Sequence, residues 1–239
     1  MDKGYRLEYT TVWDFENRGS WASHKGDYPG NWSPYVPRNL ILKYSKEKDL
    51  ILDQFCGSGT TLIEASLLNR RAIGCDINER AINTSNNRLN SVNKENIILL
   101  NRDARNLYDI KDNSIDLICT HPPYANIIKY SNNIKNDLSL LNILEFYKSM
   151  EKVANECYRV LKDKKYCAIL MGDTRKNGCI IPLGFNIMNI FMNSGFKIKE
   201  IIIKKQNNCK STEYWKKICI EKNFYLIAHE YLFVFIKNL

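Results

Sequence analysis

From Asp49 onward, apolar and polar positions alternate between two rhythms. DLILDQF is a short apolar run ending in CGSG, as expected of a buried strand entering a glycine turn. TTLIEASLLNR follows with apolar residues at helical spacing, and Thr60 or Thr61 is placed to start it. RAIGCDIN reads as a second strand, Glu79 to about Val92 as a helix, NIILLNRDA as a third strand, and SIDLICT as a fourth that stops at His121-Pro122-Pro123-Tyr124. Asn126 to Asn136 is an Asn/Lys-rich loop, Leu140 to Leu161 a long amphipathic helix, YCAILMGD a fifth strand and Ile181 to Asn193 another helix. FKIKEIIIKK alternates like a strand, and EYLFVFIK is the last one; the polar, basic stretch Gln206 to Asn223 separates them. Strands alternating with helices predict an α/β fold, doubly wound, with a mostly parallel sheet covered on both faces. The last two strands have no helix between them, which predicts an antiparallel partner at the end of the sheet. Tyr9 to Asn39 is rich in Trp, Gly, Pro and Ser, lacks clean periodicity and reads as a structured arm. The expected organisation is one domain over 1–239, with an arm over 1–48 and a core over 49–239.

Composition narrows the function classes. With 239 residues, 44% of them hydrophobic, the chain can bury a full core. Thirty-five Lys+Arg against 26 Asp+Glu give +9, a surplus that attracts polyanions such as nucleic acid or acidic membranes. No apolar run reaches the ~18–20 residues of a membrane helix, and the first residues carry no secretory h-region. Eight Cys without a C-x-x-C pair read as reduced thiols, so neither a disulfide framework nor a metal site is expected and the location expected is cytoplasmic.

In a doubly wound sheet, ligands bind beyond the carboxyl ends of the strands. That rule selects the loops Phe55–Thr61, Asp76–Asn78, Asp103–Arg105, Thr120–Tyr124 and Gly172–Arg175. In the first of them, Asp53-x-Phe55-x-Gly57-x-Gly59-Thr60-Thr61, the glycines let backbone N–H groups approach a ligand at a helix N-terminus. It is neither G-x-G-x-x-G nor the phosphate loop, since no Lys follows. Asp76 ends the next strand, where a carboxylate can accept from both hydroxyls of a ribose, and Asp103 follows the third, where it could read an exocyclic amine. The plain alternative is a tight turn with two helix-capping aspartates.

The paired motifs resemble a known family. DQFCGSGTT looks like the S-adenosylmethionine loop of the amino-methyltransferases that modify DNA bases, and HPPY after a strand looks like their catalytic loop. SPYVPRNLILKYS, which contains Pro37, resembles the segment that closes over the methionine end of the cofactor. The resemblance spans roughly Ser20 to the C-terminus. It implies a Rossmann-like methyltransferase sheet and S-adenosylmethionine as cofactor. Asp53, Phe55, Gly57, Gly59, Thr60, Thr61 and Pro37 would line the cofactor, Asp76 would hold the ribose and Asp103 would meet the adenine.

Two consecutive prolines fix φ and remove two N–H donors, so nearby carbonyls are rigidly aimed. An exocyclic amine needs such acceptors, and Tyr124 offers a ring face for a flipped base. The resembling family usually carries Asp, Asn or Ser before Pro-Pro; here His121 stands there. Thr120-His121 is nearer the Ser/Thr variants, which implies cytosine N4 rather than adenine N6. Either neutral His121 accepts an amine N–H, or it shapes the loop while the Pro122 carbonyl accepts. An unperturbed imidazole, near pKa ~6.5, predicts a rate that falls as pH drops through that region, and a rate flat from pH 5 to 8 would remove the first option. Cys56 and Cys119 read as core thiols. C5-cytosine methylation is not expected, because no proline precedes a cysteine.

Lys129, Arg175, Lys204, Lys205, Lys210, Lys216 and Lys217, with Tyr214 and Trp215, form the expected phosphate-tracking surface on double-stranded DNA. Asp173 would orient the base or hold the catalytic loop. Trp13, Trp21 and Trp32 read as anchors of the arm rather than as cofactor contacts, and His24 and His229 receive no role. The alternatives carried are N6-adenine methylation, methylation of RNA or of a protein glutamine, and a non-catalytic DNA-binding subunit. The short chain leaves room for a companion restriction nuclease or a second methyltransferase subunit as partner.

Overall fold

A computed structural model describes residues 7–207 and 212–238. In chain order the elements are β1 (Val12–Trp13), α1 (Tyr35–Tyr44), β2 (Leu50–Asp53), α2 (Thr60–Leu67), β3 (Arg71–Asp76), α3 (Glu79–Leu89), β4 (Ile97–Asn101), β5 (Ile115–Thr120), α4 (Ile143–Val160), β6 (Leu161–Met171), β7 (Thr174–Lys176), β8 (Cys179–Ile181), α5 (Leu183–Asn193), β9 (Lys197–Lys205), α6 (Thr212–Glu221) and β10 (His229–Ile236). Eight strands form one sheet in the order β1-β9-β10-β6-β5-β2-β3-β4; β7 and β8 make a separate hairpin. Strand β10 alone runs against its neighbours, β6 on one side and β9 on the other. The doubly wound, mostly parallel sheet with an antiparallel last strand is therefore as expected, but that strand lies inside the sheet rather than at its end. Helix α6 stands in the chain between β9 and β10, where the sequence pattern predicted no helix. The edge belongs to β1, which pairs in parallel with β9.

Period-two alternation in the central strands divides the core. Leu52, Ile118, Ile169, Phe233 and Phe235 face α4 and α5. Ile51, Leu117, Ala168, Leu170, Leu232 and Val234 face α1 and α2. Strands this apolar on both faces belong in the centre of an α/β sheet.

Three local differences from the sequence pattern have physical causes. Helix α1 is hidden in sequence by Pro37, which sits in the first turn, where its missing N–H costs no hydrogen bond. Helix α4 begins only at Ile143, because Asn142 and Glu145 form a capping box. Pro182 precedes the first residue of α5. The arm is tied down by one buried carboxylate on α2. Glu64 accepts from Trp21 Nε1 at 2.7 Å and Arg38 Nη1 at 2.8 Å, and lies 2.7 Å from His24 Nε2.

Strands β2 and β5 are paired neighbours, and β3 lies on the far side of β2. The strand order thus reverses between β2 and β5, which is where such sheets open a crevice. The glycine turn and the His-Pro-Pro-Tyr corner leave the sheet side by side there.

Candidate active site

Asp53, the last residue of β2, ties the two loops together. Its Oδ1 accepts from Thr120 Oγ1 at 2.7 Å and from the Phe55 N–H at 3.1 Å, and its Oδ2 accepts from Thr61 Oγ1 at 2.5 Å. Burial pushes the carboxyl up to about 6, although all three bonds oppose the shift. Beyond Asp53 the chain turns through Gly57 at φ +50° and Gly59 at φ +83°. The Gly57 N–H donates to Asp76 Oδ2 at 3.0 Å, and the Asn78 N–H to Asp76 Oδ1 at 2.9 Å. Asp76 is likewise pushed up to about 6, chiefly by burial, with Asp53 and Asp137 adding repulsion.

These loops line a first chamber, with about 750 Å³ of empty space including its mouth, walled by Asp53–Ser58, Thr60, Asp76–Asn78 and Asp103. Tyr28 from the arm and Tyr130 from the segment after β5 also wall it. Their rings stack with centroids 6.4 Å apart. Gly30 makes this closure feasible, since a Cβ there would fall 1.7 Å from the Tyr130 hydroxyl.

A second, larger chamber adjoins it, with about 1570 Å³ of empty space including its mouth. Pro122, Tyr124, Gly172, Asp173, Lys204 and Glu230 are among its walls. Pro123 lines the first chamber instead, while His121 and Trp32 line both. The ring of Trp32 lies over that of His121 at 5.6 Å, tilted 26°. His121 Nε2 is 2.8 Å from the Tyr124 hydroxyl, which donates to Glu230 Oε1 at 2.7 Å. Lys204 Nζ donates to Glu230 Oε2 at 2.9 Å. Burial alone would push Glu230 up, but Lys204, with His121 and the Tyr124 hydroxyl, more than offsets it and holds the carboxyl below its ordinary value. Burial also drives His121 down to about 4, against the pull of Glu230. The expected fall in rate near pH 6.5, and with it the expectation that a flat rate would remove His121 as acceptor, assumed an unperturbed imidazole. With the ring held at about 4, a rate flat from pH 5 to 8 is what a neutral His121 acceptor gives. A Cβ on Gly172 would come within 2.8 Å of the Tyr124 ring, so only glycine admits that ring here.

The structure gathers Asp53, Phe55, Gly57, Thr60, Asp76, Asp103 and Pro123 around the first chamber and His121, Pro122 and Tyr124 around the second. Other expectations need correction. Pro37 is buried in the first turn of α1 and lines neither chamber; the arm's contribution is Tyr28–Trp32. Gly59 lies behind the first chamber, where its missing Cβ lets α2 approach Ser85, and Thr61 serves through Asp53. Asp103 is gripped by Arg105, whose Nε and Nη2 lie 2.9 and 2.6 Å from its two oxygens. Arg175 donates to the carbonyls of Gly178 and Tyr225 and lies over Phe224, so its head braces the chain rather than facing a phosphate. Asp173 caps α5 through the Gly184 N–H at 2.9 Å. Lys204 belongs to the Glu230 pair, and Lys205 bonds Asp14 at 2.7 Å. Lys216 and Lys217 are exposed on α6, Lys216 paired with Glu213; Lys129 is exposed outside both chambers. Lys210 lies outside the described residues. Cys56 and Cys119 are core thiols.

Sequence reasoning passed over Tyr28, Gln54, Tyr130, Asp137 and Glu230, and discounted Trp32. Tyr-Pro-Gly-Asn-Trp ahead of the glycine turn was a usable signal for two of these. Glu230, the single charge in an otherwise apolar strand, was another.

Solved structures share this fold. TrmN from Thermus thermophilus superposes with a TM-score of 0.60 at 16% identity, covering 87% of this chain and 50% of that one. An S-adenosylmethionine-dependent methyltransferase from Methanosarcina mazei gives 0.58 at 17% identity, covering 84% and 97%. The architecture is that of a methyltransferase. The DNA methylase family profile matches residues 3–87 and 115–239, and the chain belongs to that family, with S-adenosylmethionine as its cofactor. Among curated relatives, the tRNA (guanine(10)-N2)-dimethyltransferase of Methanothermobacter thermautotrophicus is 39% identical over 99 residues, 41% of this chain and 29% of that protein. The Type II methyltransferase M2.DpnII of Streptococcus pneumoniae is 40% identical over 76 residues, 32% and 27% respectively. M1.MboII of Moraxella bovis is 47% identical over 60 residues, 23% of each. The matched segments therefore span less than a third of these relatives' own length.

The first chamber fits S-adenosylmethionine. Two of the residues that wall it carry a buried oxygen with no hydrogen-bond partner among the described residues, Gln54 Oε1 and Thr60 Oγ1, as expected of a polar site built for a ligand. Each oxygen of Asp76 takes one backbone N–H and keeps a lone pair for a hydroxyl. A Cβ on Gly57 would press against Tyr28 at 3.3 Å, so the cradle depends on its absence.

Proposed function

We propose that the chain, as one methyltransferase domain over residues 1–239, methylates the exocyclic amine of a base flipped out of double-stranded DNA, and that this amine is cytosine N4. The reading rests on one observation above all: two chambers meet at a shared wall of His121 and Trp32, with Pro123 on one side and Pro122 and Tyr124 on the other. S-adenosylmethionine, when bound, supplies an electrophilic methyl carbon on a positively charged sulfur. Asp76 holds its ribose, and Asp103 keeps capacity for the adenine amine beside Arg105. The Pro122 carbonyl and neutral His121 accept the two amine N–H bonds and draw the nitrogen lone pair out of the ring plane. The Tyr124 ring stacks on the extruded base. Stacking contributes ~1–3 kcal/mol, comparable with the few kcal/mol that extrusion costs.

Exposed Lys129, Lys216 and Lys217, with Tyr214 and Trp215 on α6, supply phosphate contacts and stacking surfaces. Thr120 before His121 favours cytosine N4 over adenine N6. The Type II names among the relatives favour DNA, and a companion nuclease or second methyltransferase subunit belongs to the same reading.

A second reading follows from the tRNA methyltransferase relatives: an RNA base amine could enter the same chamber. Transfer of tritiated methyl to duplex DNA and to total tRNA in competition, followed by nucleoside analysis, separates the two. Label in N4-methylcytosine supports the reading, label in N6-methyladenine moves the target base, and label in tRNA alone overturns it.

A further inference from the structure

Deepening the reading above and resting on it, we infer that Glu230 and Lys204 are positioning residues that fix the tautomer of His121, leaving its Nδ1 as acceptor for one N–H of a planar exocyclic amine. The argument is a count of hydrogens. Lys204 holds Glu230 as a carboxylate, which can only accept. The remaining Glu230 oxygen takes the Tyr124 hydroxyl hydrogen at 2.7 Å. Tyr124 has no second hydrogen, so the 2.8 Å contact with His121 Nε2 requires the imidazole to donate. A neutral imidazole carries one N–H. Its lone pair is then on Nδ1, which makes no hydrogen bond among the described residues, while Trp32 fixes the ring plane from the arm side.

The motif explains why such a device is needed. A carboxylate before Pro-Pro offers acceptor oxygens whichever way it turns, whereas a histidine there offers one lone pair and only in one tautomer. Glu230 on β10 and Lys204 on β9 lie outside the motif and convert the substituted residue into an acceptor.

Glu230→Gln reverses the arrangement without removing a group. Lys204 turns the carboxamide oxygen toward itself, so the amide NH2 faces Tyr124. The hydroxyl then donates to His121 Nε2 and the imidazole proton moves to Nδ1. Long-range proton–nitrogen correlation spectra of 15N-histidine-labelled protein, free of cofactor and DNA, read the tautomer directly, with only three histidines to assign. The Nε2–H form is expected for His121 in the unsubstituted protein and the Nδ1–H form in Glu230→Gln. The expected kinetic companion is a kcat lower by on the order of 10²-fold, the scale of losing one preorganised bond to the reacting group, with KM for DNA unchanged. An Nδ1–H tautomer in the unsubstituted protein overturns the inference even if Glu230→Gln fails to fold. An unchanged tautomer in a folded variant overturns it as well. The expected tautomers with no methylated base in any nucleic acid would leave the positioning intact and sink the functional reading instead.

Discussion

The indole of Trp32 covers the imidazole of His121 at 5.6 Å, so a residue of the N-terminal arm completes the wall between the two chambers. Trp32→Phe keeps an apolar ring there but shortens the wall. It is expected to weaken cofactor and DNA binding together, each by a few-fold, in line with the ~0.5–1.5 kcal/mol of an aromatic pair. Calorimetric titration of each ligand checks this; loss of one affinity alone would show that the wall serves only one chamber.

Cofactor affinity should depend on pH through Asp76. Its folded value of about 6 lies above that of an unfolded chain, so without ligand it contributes stability that is full at low pH and lost as pH rises through 6. Binding reverses the preference, because only the carboxylate accepts from both ribose hydroxyls. The dissociation constant is expected to rise about tenfold between pH 7.5 and 5, one unit of pKa, and Asp76→Asn should bind more weakly with a flat profile. If Asp76→Asn keeps the pH dependence, Asp53 carries it.

With both ligands saturating, the chemical step should not change between pH 5 and 8. His121, faced by Glu230 from β10 and Lys204 from β9, is neutral throughout that range, with a value near 4. Single-turnover rates that fall on acidification already at pH 6.5 would mean that the ring is solvated.

Glu64 carries three polar partners from the arm and α1 at zero side-chain exposure. Glu64→Ala removes one partner of the buried Arg38–Glu64 ion pair and is expected to cost ~3–5 kcal/mol. An unfolding free energy from urea titration lowered by less than a third of that would mean the arm is held by its aromatic packing alone.

The basic surface divides into committed and available charges. Lys217→Ala should reduce the slope of log K against log salt by ~0.9 for duplex DNA. Arg175→Ala should leave the slope unchanged, since its guanidinium is bound to two carbonyls. Equal effects of the two would place Arg175 back on the phosphates.

Much of the sheet was legible because its signals are local. Asp53 to Thr61 shows the strand, turn and helix start within nine residues, and the corner at Tyr124 follows an apolar run. What was not legible depends on distant partners. Strand β1 is two residues long and exists through its pairing with β9. Lys204 reads as a phosphate contact in sequence because its charge shows but Glu230, 26 residues away, does not. The Tyr124–Glu230 bond joins residues 106 apart, and no periodicity announces such a pair. Helix α1 was hidden for a different reason, a proline whose position in the turn decides whether it breaks a helix.

The placement of β10 between β6 and β9 bears on how the protein is made. During translation, β9 has no finished seat until β10 has left the ribosome, and β1 has no edge to join before then. Strand β1 therefore precedes the sheet in sequence but can pair only after β9 is in place, whereas the rest of the arm has its anchor, Glu64, already on α2.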